Sequence, residues 1–387
     1  MAQDTVSSNF EDIRPLNPNE VHAAIEELLT SDEFKKAILY VKPDLDWNLF
    51  AAAMRACKTK EEFKTTFGYD AVMTVAKKTT FSLTVSGRSR LPQGKPACTF
   101  ISNHRDIVLD ASFLNVILYD VGYGLTQIAI GDNLLIHPWI ETFVRLSNCF
   151  IVKRGVSVRQ MLEASNQLSA YINHTIQETH ESIWIAQREG RAKDSNDRTQ
   201  PSVLKMLNMA GEKDIISNLS ALNIVPISIS YEYDPCDYLK AQEFQLKRDN
   251  PAYQKTQHDD LLNMETGILG NKGRVHFTIG NLINDQLQAL DPSMDKNALF
   301  AAVASIIDRE IYTHYRFYPC NYVAYDLLSG TRCFSSHYGA KDKKDFETYL
   351  QGQLDKIQIP NKDEAFLRHK ILEMYTNPLK NHLALQD

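Results

Sequence analysis

Short apolar runs alternate with helical patterns between residues 80 and 279, and this alternation constrains the fold more than any other feature. The runs have the length and the continuous apolar character of buried strands. They lie at 81–85, 98–102, 126–130, 150–153, 182–186, 224–230 and 274–279, and helical patterns occupy 107–119, 138–146, 158–177 and 201–210. Because strands that alternate with helices pair in parallel, the sequence predicts an α/β fold, a central mostly parallel sheet flanked by helices.

Helical patterns also precede and follow this α/β segment. Residues 19–78 predict a set of helices, and residues 296–315 predict a long amphipathic helix. No repeat, low-complexity tract or long flexible linker separates these regions. The expected organisation is a helical N-terminal region (1–79), an α/β domain (80–285) and a mostly helical C-terminal region (286–387) that packs on it.

The composition indicates a globular protein in a reducing compartment. Hydrophobic residues make up 43% of the 387 residues, charged residues 23%, and the net charge is −6, which argues against disorder and general nucleic-acid binding. The six cysteines include no Cys-x-x-Cys pair, which disfavours a disulfide framework or a zinc site. Residues 1–5 lack the features of a secretory signal, and no segment approaches the roughly 18 apolar residues of a spanning helix. We expect a cytoplasmic protein, soluble or peripheral to a membrane.

The predicted strand at 98–102 leads into a histidine that two carboxylates follow. His104 comes two residues after this strand, and Asp106 and Asp110 lie within the next six residues. A base at a strand end, oriented by a nearby carboxylate, is what proton abstraction from a hydroxyl requires. If a helix begins near Arg105, Asp106 lies in its first turn and Asp110 lies one turn further on the same face. A histidine and an aspartate in such a turn are more often a surface residue and a helix cap, so this segment alone does not decide.

The tripeptide His104-Arg105-Asp106 also occurs in the catalytic loop of protein kinases. That loop needs an asparagine five residues after its aspartate to hold a metal ion, and Ala111 stands at that position. No glycine-rich nucleotide loop precedes the tripeptide, and no Asp-Phe-Gly follows it. A phosphotransferase is therefore the weakest interpretation.

Charged residues follow two further predicted strands. The fourth strand ends at Lys153 and Arg154, of which arginine can hold a phosphate through two parallel hydrogen bonds and lysine acts as a point charge. The fifth strand leads into Glu189, Gly190 and Arg191, a turn that can bind phosphate through its cations and backbone amides. Loops at strand ends are where α/β folds assemble their sites. Each segment taken alone is also typical of a solvated strand end.

Taken in order, these segments resemble the glycerolipid acyltransferase superfamily, which contains the glycerol-phosphate and lysophosphatidate acyltransferases. That family carries a histidine followed by four residues and an aspartate, then Phe-Ile-x-Arg, Glu-Gly-x-Arg and Val-Pro-x-x-Ile. The similar segments here are Asn103-His104 with a downstream aspartate, Phe150-Ile151-Val152-Lys153-Arg154, Glu189-Gly190-Arg191 and Ile224-Val225-Pro226-Ile227. The resemblance covers about residues 80–282, and His104-Arg105 is similar to the opening of the glycerol-3-phosphate branch.

One spacing departs from the family pattern. The family has its aspartate five residues after the histidine, where this chain has Leu109, and Asp110 comes one residue later. Either a one-residue bulge brings Asp110 to the imidazole, or Asp106 takes the orienting role. We prefer Asp110, because it keeps the family order and Asp106 is better placed as a helix cap.

The resemblance implies acyl transfer without a metal or a bound cofactor. His104, oriented by Asp110 or Asp106, would take a proton from an acceptor hydroxyl that attacks the thioester of a fatty acyl-CoA or acyl-carrier protein. The acceptor would be a phosphorylated glycerol or a lysolipid. Candidates for binding it are Arg105, Lys153, Arg154, Glu189, Gly190 and Arg191. Because the product is a lipid, we expect peripheral contact with the cytoplasmic face of a membrane, through the N-terminal helices or the basic residues of the helix at 201–210.

Two other functions stay open at this stage. The same base can activate water, which would make the protein a thioesterase. The displaced aspartate is also compatible with a catalytically inactive relative that binds lipid or protein.

Overall fold

The computed structural model describes residues 9–154 and 158–386 of the chain. Residues 1–5, on which the expected lack of a secretory signal rests, lie outside this part. No helix of the described residues combines the length and apolar character needed to cross a membrane.

A mixed sheet lies at the centre of the described chain. Its strands are β1 (Thr80–Ser86), β2 (Thr99–Ser102), β3 (Gln127–Gly131), β4 (Cys149–Val152), β5 (Ile183–Ala186), β6 (Ile224–Tyr231) and β7 (Gly273–Ile279). They lie in the order β1-β7-β6-β2-β5-β3-β4. Strands β2 to β6 run parallel, and β7 is antiparallel to β6 and parallel to β1. The predicted mostly parallel sheet is confirmed, and every predicted strand is present.

Helices connect the strands of the sheet, and further helices precede β1 and follow β7. In chain order they are α1 (Val21–Thr30), α2 (Asp32–Val41), α3 (Trp47–Ala56), α4 (Lys60–Phe63), α5 (Tyr69–Thr79), α6 (Leu109–Asp120), α7 (Pro138–Leu146), α8 (Val158–Gln177), α9 (Pro201–Asn208), α10 (Ile215–Ser220), α11 (Asp237–Asp249), α12 (Gln257–Leu269), α13 (Asn284–Gln288), α14 (Lys296–Thr313), α15 (Pro319–Ser329), α16 (Ala340–Asp355) and α17 (Glu364–Leu383). A π-helical turn, Lys64–Gly68, joins α4 to α5.

Both faces of the sheet are covered by helices, as an α/β fold requires. Neighbouring residues of a strand point to opposite faces. Phe100 and Val225 therefore pack in one apolar cluster, with α5 and α6. Ile101 and Ile224 pack in another, with α8, α9 and α14.

The terminal helices pack through apolar clusters of their own. Helices α1 to α3 bury Ile25, Phe34 and Met54 in a cluster that includes Leu146 of α7. Helices α15 to α17 pack together and also bury Ala241 of α11. The predicted boundaries at residues 79 and 285 stay predictions.

Helices α11 and α12 lie between β6 and β7, where the sequence predicted no helix. Several polar side chains of α11 are buried, including Asp237, Lys240 and Gln245. A helix whose buried face is polar lacks the apolar spacing that predicts helices from sequence. Helix α12 covers the turn that follows β2, and this position brings it next to the candidate site.

Candidate active site

The turn after β2 is fixed by side-chain hydrogen bonds to the backbone. The side chain of Asn103 donates to the carbonyl of Ile229 over 2.9 Å and accepts from its N–H over 2.8 Å, which joins the turn to β6. Oδ1 of Asp106 accepts from the N–H groups of Val108 and Leu109 over 2.9 and 2.8 Å. Asp106 therefore satisfies backbone donors where α6 begins, which is what a capping residue does.

The carboxylate of Asp110 lies in the first turn of α6 and reaches back to the histidine. Its Oδ2 accepts from Nδ1 of His104 over 2.8 Å, from the Arg105 N–H over 2.5 Å and from the Asp106 N–H over 3.0 Å. The extra residue between the histidine and the aspartate is accommodated in the turn, so Asp110 and not Asp106 contacts the imidazole. Because an ionised carboxylate only accepts, Nδ1 carries the proton and Nε2 keeps its lone pair.

Burial and like charge govern the ionisable groups around this turn. Asp110 and Asp106 are both buried. Burial, and then the negative charge of Asp110, raises the pKa of Asp106. Burial, followed by the charges of Asp110 and Asp106, raises the pKa of the Tyr231 hydroxyl well above its usual value, so Tyr231 stays protonated.

Trp184 of β5 forms one wall beside the histidine. Its ring meets the His104 ring edge-on, with centroids 5.4 Å apart, and its Nε1 donates to Oγ of Ser102 over 3.0 Å. The imidazole is therefore held by a carboxylate at Nδ1 and by an aromatic edge. Sequence reasoning missed Trp184, because an apolar residue in a buried strand looks like any other core residue.

A large cavity opens from His104 between the sheet and the N-terminal helices. Its volume is about 1670 Å³, and most of its wall is apolar. Side chains that form this wall include Phe34, Val72, Ile128 and Phe143. The loops after β2, β4 and β5 bring the polar residues to one end, because parallel strands end at the same edge of a sheet.

Lys64 lies on the cavity lining near the start of β3, at the opposite edge of the sheet. Its Nζ donates to the carbonyl of Thr126 over 3.0 Å and to Oδ1 of Asn115 over 3.3 Å. Burial lowers the pKa of Lys64 to about 8. The cavity therefore extends along the sheet from His104 to this lysine.

Three arginines, Arg154, Arg188 and Arg191, line the same cavity as His104. Arg154 packs its guanidinium against Gly131, where a Cβ would lie 2.9 Å from Nε, and no described carboxylate forms an ion pair with it. Nε of Arg188 and Nη1 of Arg191 are buried without a hydrogen-bond partner. A buried cationic donor without an acceptor is costly, and an anionic ligand would satisfy it.

Arg105 does not line this cavity, although the sequence predicted that it binds substrate. Its Nη1 and Nη2 donate to the two carboxylate oxygens of Asp197 over 2.9 and 2.5 Å, and both side chains are buried. The structure therefore does not bring Arg105 together with the other predicted ligands, because its guanidinium is occupied in a buried ion pair.

The remaining predicted ligands differ in how they face the cavity. Lys153 lies on its lining, but its Nζ forms an ion pair with Asp12 and donates to Oε1 of Gln167 over 3.2 Å. Glu189 is exposed, and Gly190 has a φ of +65° with open space where a Cβ would be. The positive φ favours glycine at the turn after β5.

Arg188 and Asp197 were missed by the sequence analysis. Arg188 directly precedes Glu189, so its place at the end of a predicted strand was a usable signal. Asp197 gave no such signal, because its contact with Arg105 depends on how two loops meet in space.

Residues 82–230 match the family model whose description is Acyltransferase. This segment is an acyltransferase domain. The acyltransferase part of the resemblance is thereby confirmed for this segment, which contains His104, Asp110 and the three cavity arginines. No group of three possible metal-ligating side chains lies within residues 9–154 and 158–386.

One solved structure is the crystal structure of the 1-acyl-sn-glycerophosphate (LPA) acyltransferase, PlsC, from Thermotoga maritima. It is similar at 12% sequence identity and a TM-score of 0.35, over 75% of this chain and 93% of that chain. No curated protein sequence matches the chain significantly.

Helix α12 approaches the turn after β2 so closely at Gly267 that we expect any side chain at this position to destabilise the protein. A Cβ on Gly267 would lie 2.1 Å from Oδ2 of Asp106, whose other oxygen is held by two backbone donors. Gly267→Ala should lower the free energy of unfolding, measured with urea, by about 1–3 kcal/mol through overpacking.

Gly352→Ala in α16 is the matched control, because nothing lies within 4 Å of its added Cβ. That variant should raise the free energy of unfolding by up to about 1 kcal/mol, the helix preference for alanine. Equal stabilisation by both substitutions would contradict the close approach of α12.

Proposed function

We propose that this protein is an O-acyltransferase that moves a fatty acyl group from a thioester, acyl-CoA or acyl-carrier protein, to a hydroxyl of a phosphorylated glycerol or lysolipid. The observation that carries the proposal is the His104–Asp110 contact at one end of a large apolar cavity in an acyltransferase domain. The His104–Asp110 contact supplies the base that the reaction needs, and the cavity supplies a site for the alkyl chain. The match to the acyltransferase family supports acyl transfer as the reaction.

The base acts on the acceptor hydroxyl. Nε2 of His104 takes the hydroxyl proton, while Asp110 at Nδ1 stabilises the imidazolium that forms. The acceptor oxygen forms a bond to the thioester carbonyl carbon, and the carbon–sulfur bond then breaks. The imidazolium returns the proton to the leaving thiolate, so the products are an ester and a free thiol. The acceptor is itself the nucleophile, and no acyl-enzyme is needed.

The acyl chain would occupy the apolar part of the cavity. Ligand cavities in proteins are commonly about 300–1,000 Å³, so the 1670 Å³ found here can hold a long chain together with part of an acceptor. Burying the chain also keeps water away from the thioester, which favours transfer to the acceptor over hydrolysis.

The arginines at the polar end support a phosphorylated acceptor. Arg154, Arg188 and Arg191 supply guanidinium donors on one side of the cavity, and two of their nitrogen atoms are buried without an acceptor. Guanidinium groups bind phosphate through paired hydrogen bonds. A phosphate held there would bring the acceptor hydroxyl toward His104.

Exposed apolar side chains on the cavity lining support contact with a lipid bilayer. Tyr40 of α2, Met161 of α8, and Leu261 and Leu269 of α12 are exposed and line the same cavity. Exposed apolar groups around a cavity mouth are typical of membrane or lipid contact. Such a rim would let lipid pass between the bilayer and the site.

An acyl-transfer screen tests the proposal. Wild-type protein, incubated with acyl-CoA or acyl-carrier-protein thioesters and candidate acceptors, should form an acyl ester detected by mass spectrometry. His104→Ala should lower kcat by about 10²–10⁴-fold, the usual contribution of a general base. Free fatty acid as the sole product, with or without acceptor, would identify a thioesterase, and no turnover with intact acceptor binding would identify an inactive relative.

Two isosteric variants in the same screen separate the aspartates. Asp110→Asn should lower kcat by roughly 10²-fold or more, because the imidazolium loses its countercharge. Asp106→Asn should keep most activity, because asparagine caps a helix about as well as aspartate. Near-normal rates in both variants would contradict the role of the carboxylate.

Arg154→Ala tests the phosphorylated acceptor. Loss of a charge-assisted hydrogen bond costs about 1.5–3 kcal/mol, so KM for the acceptor should rise roughly 10- to 100-fold while KM for the thioester stays unchanged. Arg159→Ala is the matched control, since this arginine of α8 is 92% exposed. An unchanged acceptor KM in Arg154→Ala would rule out phosphate recognition by this residue.

A further inference from the structure

One buried ion pair connects the histidine turn to the loop that carries Arg188 and Arg191. The two guanidinium nitrogens of Arg105 each donate to one carboxylate oxygen of Asp197. Arg105 directly follows His104 and gives its backbone N–H to Asp110. Asp197 lies in the same loop as the two arginines. The base and the candidate anion-binding loop are therefore joined by this paired contact.

The Asp197 carboxylate is also held by residues outside the acyltransferase family match. Tyr315, just after α14, donates its hydroxyl to Oδ2 of Asp197, and Tyr312 of α14 donates to the Asp197 carbonyl. Asn103, beside His104, contributes a longer hydrogen bond of 3.4 Å to the same carboxylate. The C-terminal helices thus complete a contact whose other members lie within residues 82–230.

The loop is anchored to α14 and α17 at further points beyond Asp197. Oδ1 of Asp308 in α14 accepts from the N–H and the hydroxyl of Thr199 over 2.8 and 2.6 Å. Asn377 of α17 donates to the carbonyl of Asp194 over 2.8 Å. The C-terminal helices therefore hold the later part of the loop, at Asp194 and Thr199. The earlier part, at Arg188 and Arg191, lines the cavity.

We propose that Asp197 and Arg105 are positioning residues that set the distance between the base His104 and the acceptor bound by the Arg188–Arg191 loop. This inference rests on the proposed function. It assigns to the C-terminal helices, through Tyr312 and Tyr315, a part in aligning the reaction. Neither Arg105 nor Asp197 lines the cavity, so both act through the residues they hold.

A paired substitution separates alignment from folding. Removing one partner would leave a buried charge alone, whereas replacing both with apolar residues of similar size often preserves stability. Arg105→Met/Asp197→Leu should therefore remain folded by circular dichroism. Its kcat should fall at least tenfold and its KM for the acceptor should rise at least fivefold, with KM for the thioester unchanged.

A second, more exposed ion pair provides the control. Arg274 and Glu232 also form two side-chain hydrogen bonds, of 2.9 and 2.6 Å, but neither residue lines the cavity or contacts the site turn. Arg274→Met/Glu232→Leu should keep wild-type kcat and both KM values. If the Arg105/Asp197 double variant does not fold, Tyr315→Phe takes its place, since it removes one hydroxyl from Asp197. This variant should lower kcat and raise KM for the acceptor by roughly threefold each, with KM for the thioester unchanged.

Failure of this inference can be told apart from failure of the proposed function. Wild-type kcat and acceptor KM in the folded double variant would overturn the inference and leave the function standing. If wild-type protein transfers no acyl group to any acceptor, the proposed function fails. In that case calorimetric titration with inorganic phosphate tests the inference. The affinity for phosphate should be at least fivefold weaker in the Arg105/Asp197 double variant than in the wild type. Unchanged affinity, or no phosphate binding by wild type, would overturn the inference as well.

Discussion

The carboxylate of Asp110 organises the site, because one of its oxygens accepts three hydrogen bonds at once. Two come from the backbone of the turn after β2, and the third comes from Nδ1 of His104. The backbone bonds give the turn its shape, and that shape puts the imidazole against Trp184 and next to the cavity. The same interaction therefore fixes the local fold and the tautomer of the neutral histidine.

The rest of the molecule supports this turn from several directions. Helix α12 packs so closely over Asp106 that only glycine fits at residue 267. The Arg105–Asp197 pair joins the turn to the loop after β5, and α14 holds that loop from behind. The helical ends of the chain are thus tied to the acyltransferase domain, the N-terminal ones as walls of the cavity and the C-terminal ones as supports of a loop.

The sequence predicted the sheet well, because each strand is a short apolar run bounded by polar residues and helices. The sequence also predicted that His104, Asp110, Arg154 and Arg191 belong to one site, because the loops that follow parallel strands lie at the same edge of a sheet. Helix α11 was not predictable by the same means, since its buried face carries charged side chains that pair only in the folded protein.

The role of Arg105 shows where sequence reasoning ends. A cation next to the base looks like a substrate ligand, and which way it points depends on a carboxylate 92 residues away in the chain. The displaced aspartate was the opposite case. The spacing in the sequence did not decide whether Asp106 or Asp110 orients the histidine. The hydrogen bonds of the turn do, because Asp110 contacts the imidazole and Asp106 accepts from the backbone.

The central claim is that Asp110 holds His104 with its Nε2 lone pair available to the cavity. Nitrogen-15 NMR of histidine-labelled protein, with His104→Gln to assign the signal, tests this claim most directly. The account predicts that neutral His104 is protonated at Nδ1 and unprotonated at Nε2. A neutral histidine protonated at Nε2 would contradict the account, because a ring in that form offers no base to the acceptor.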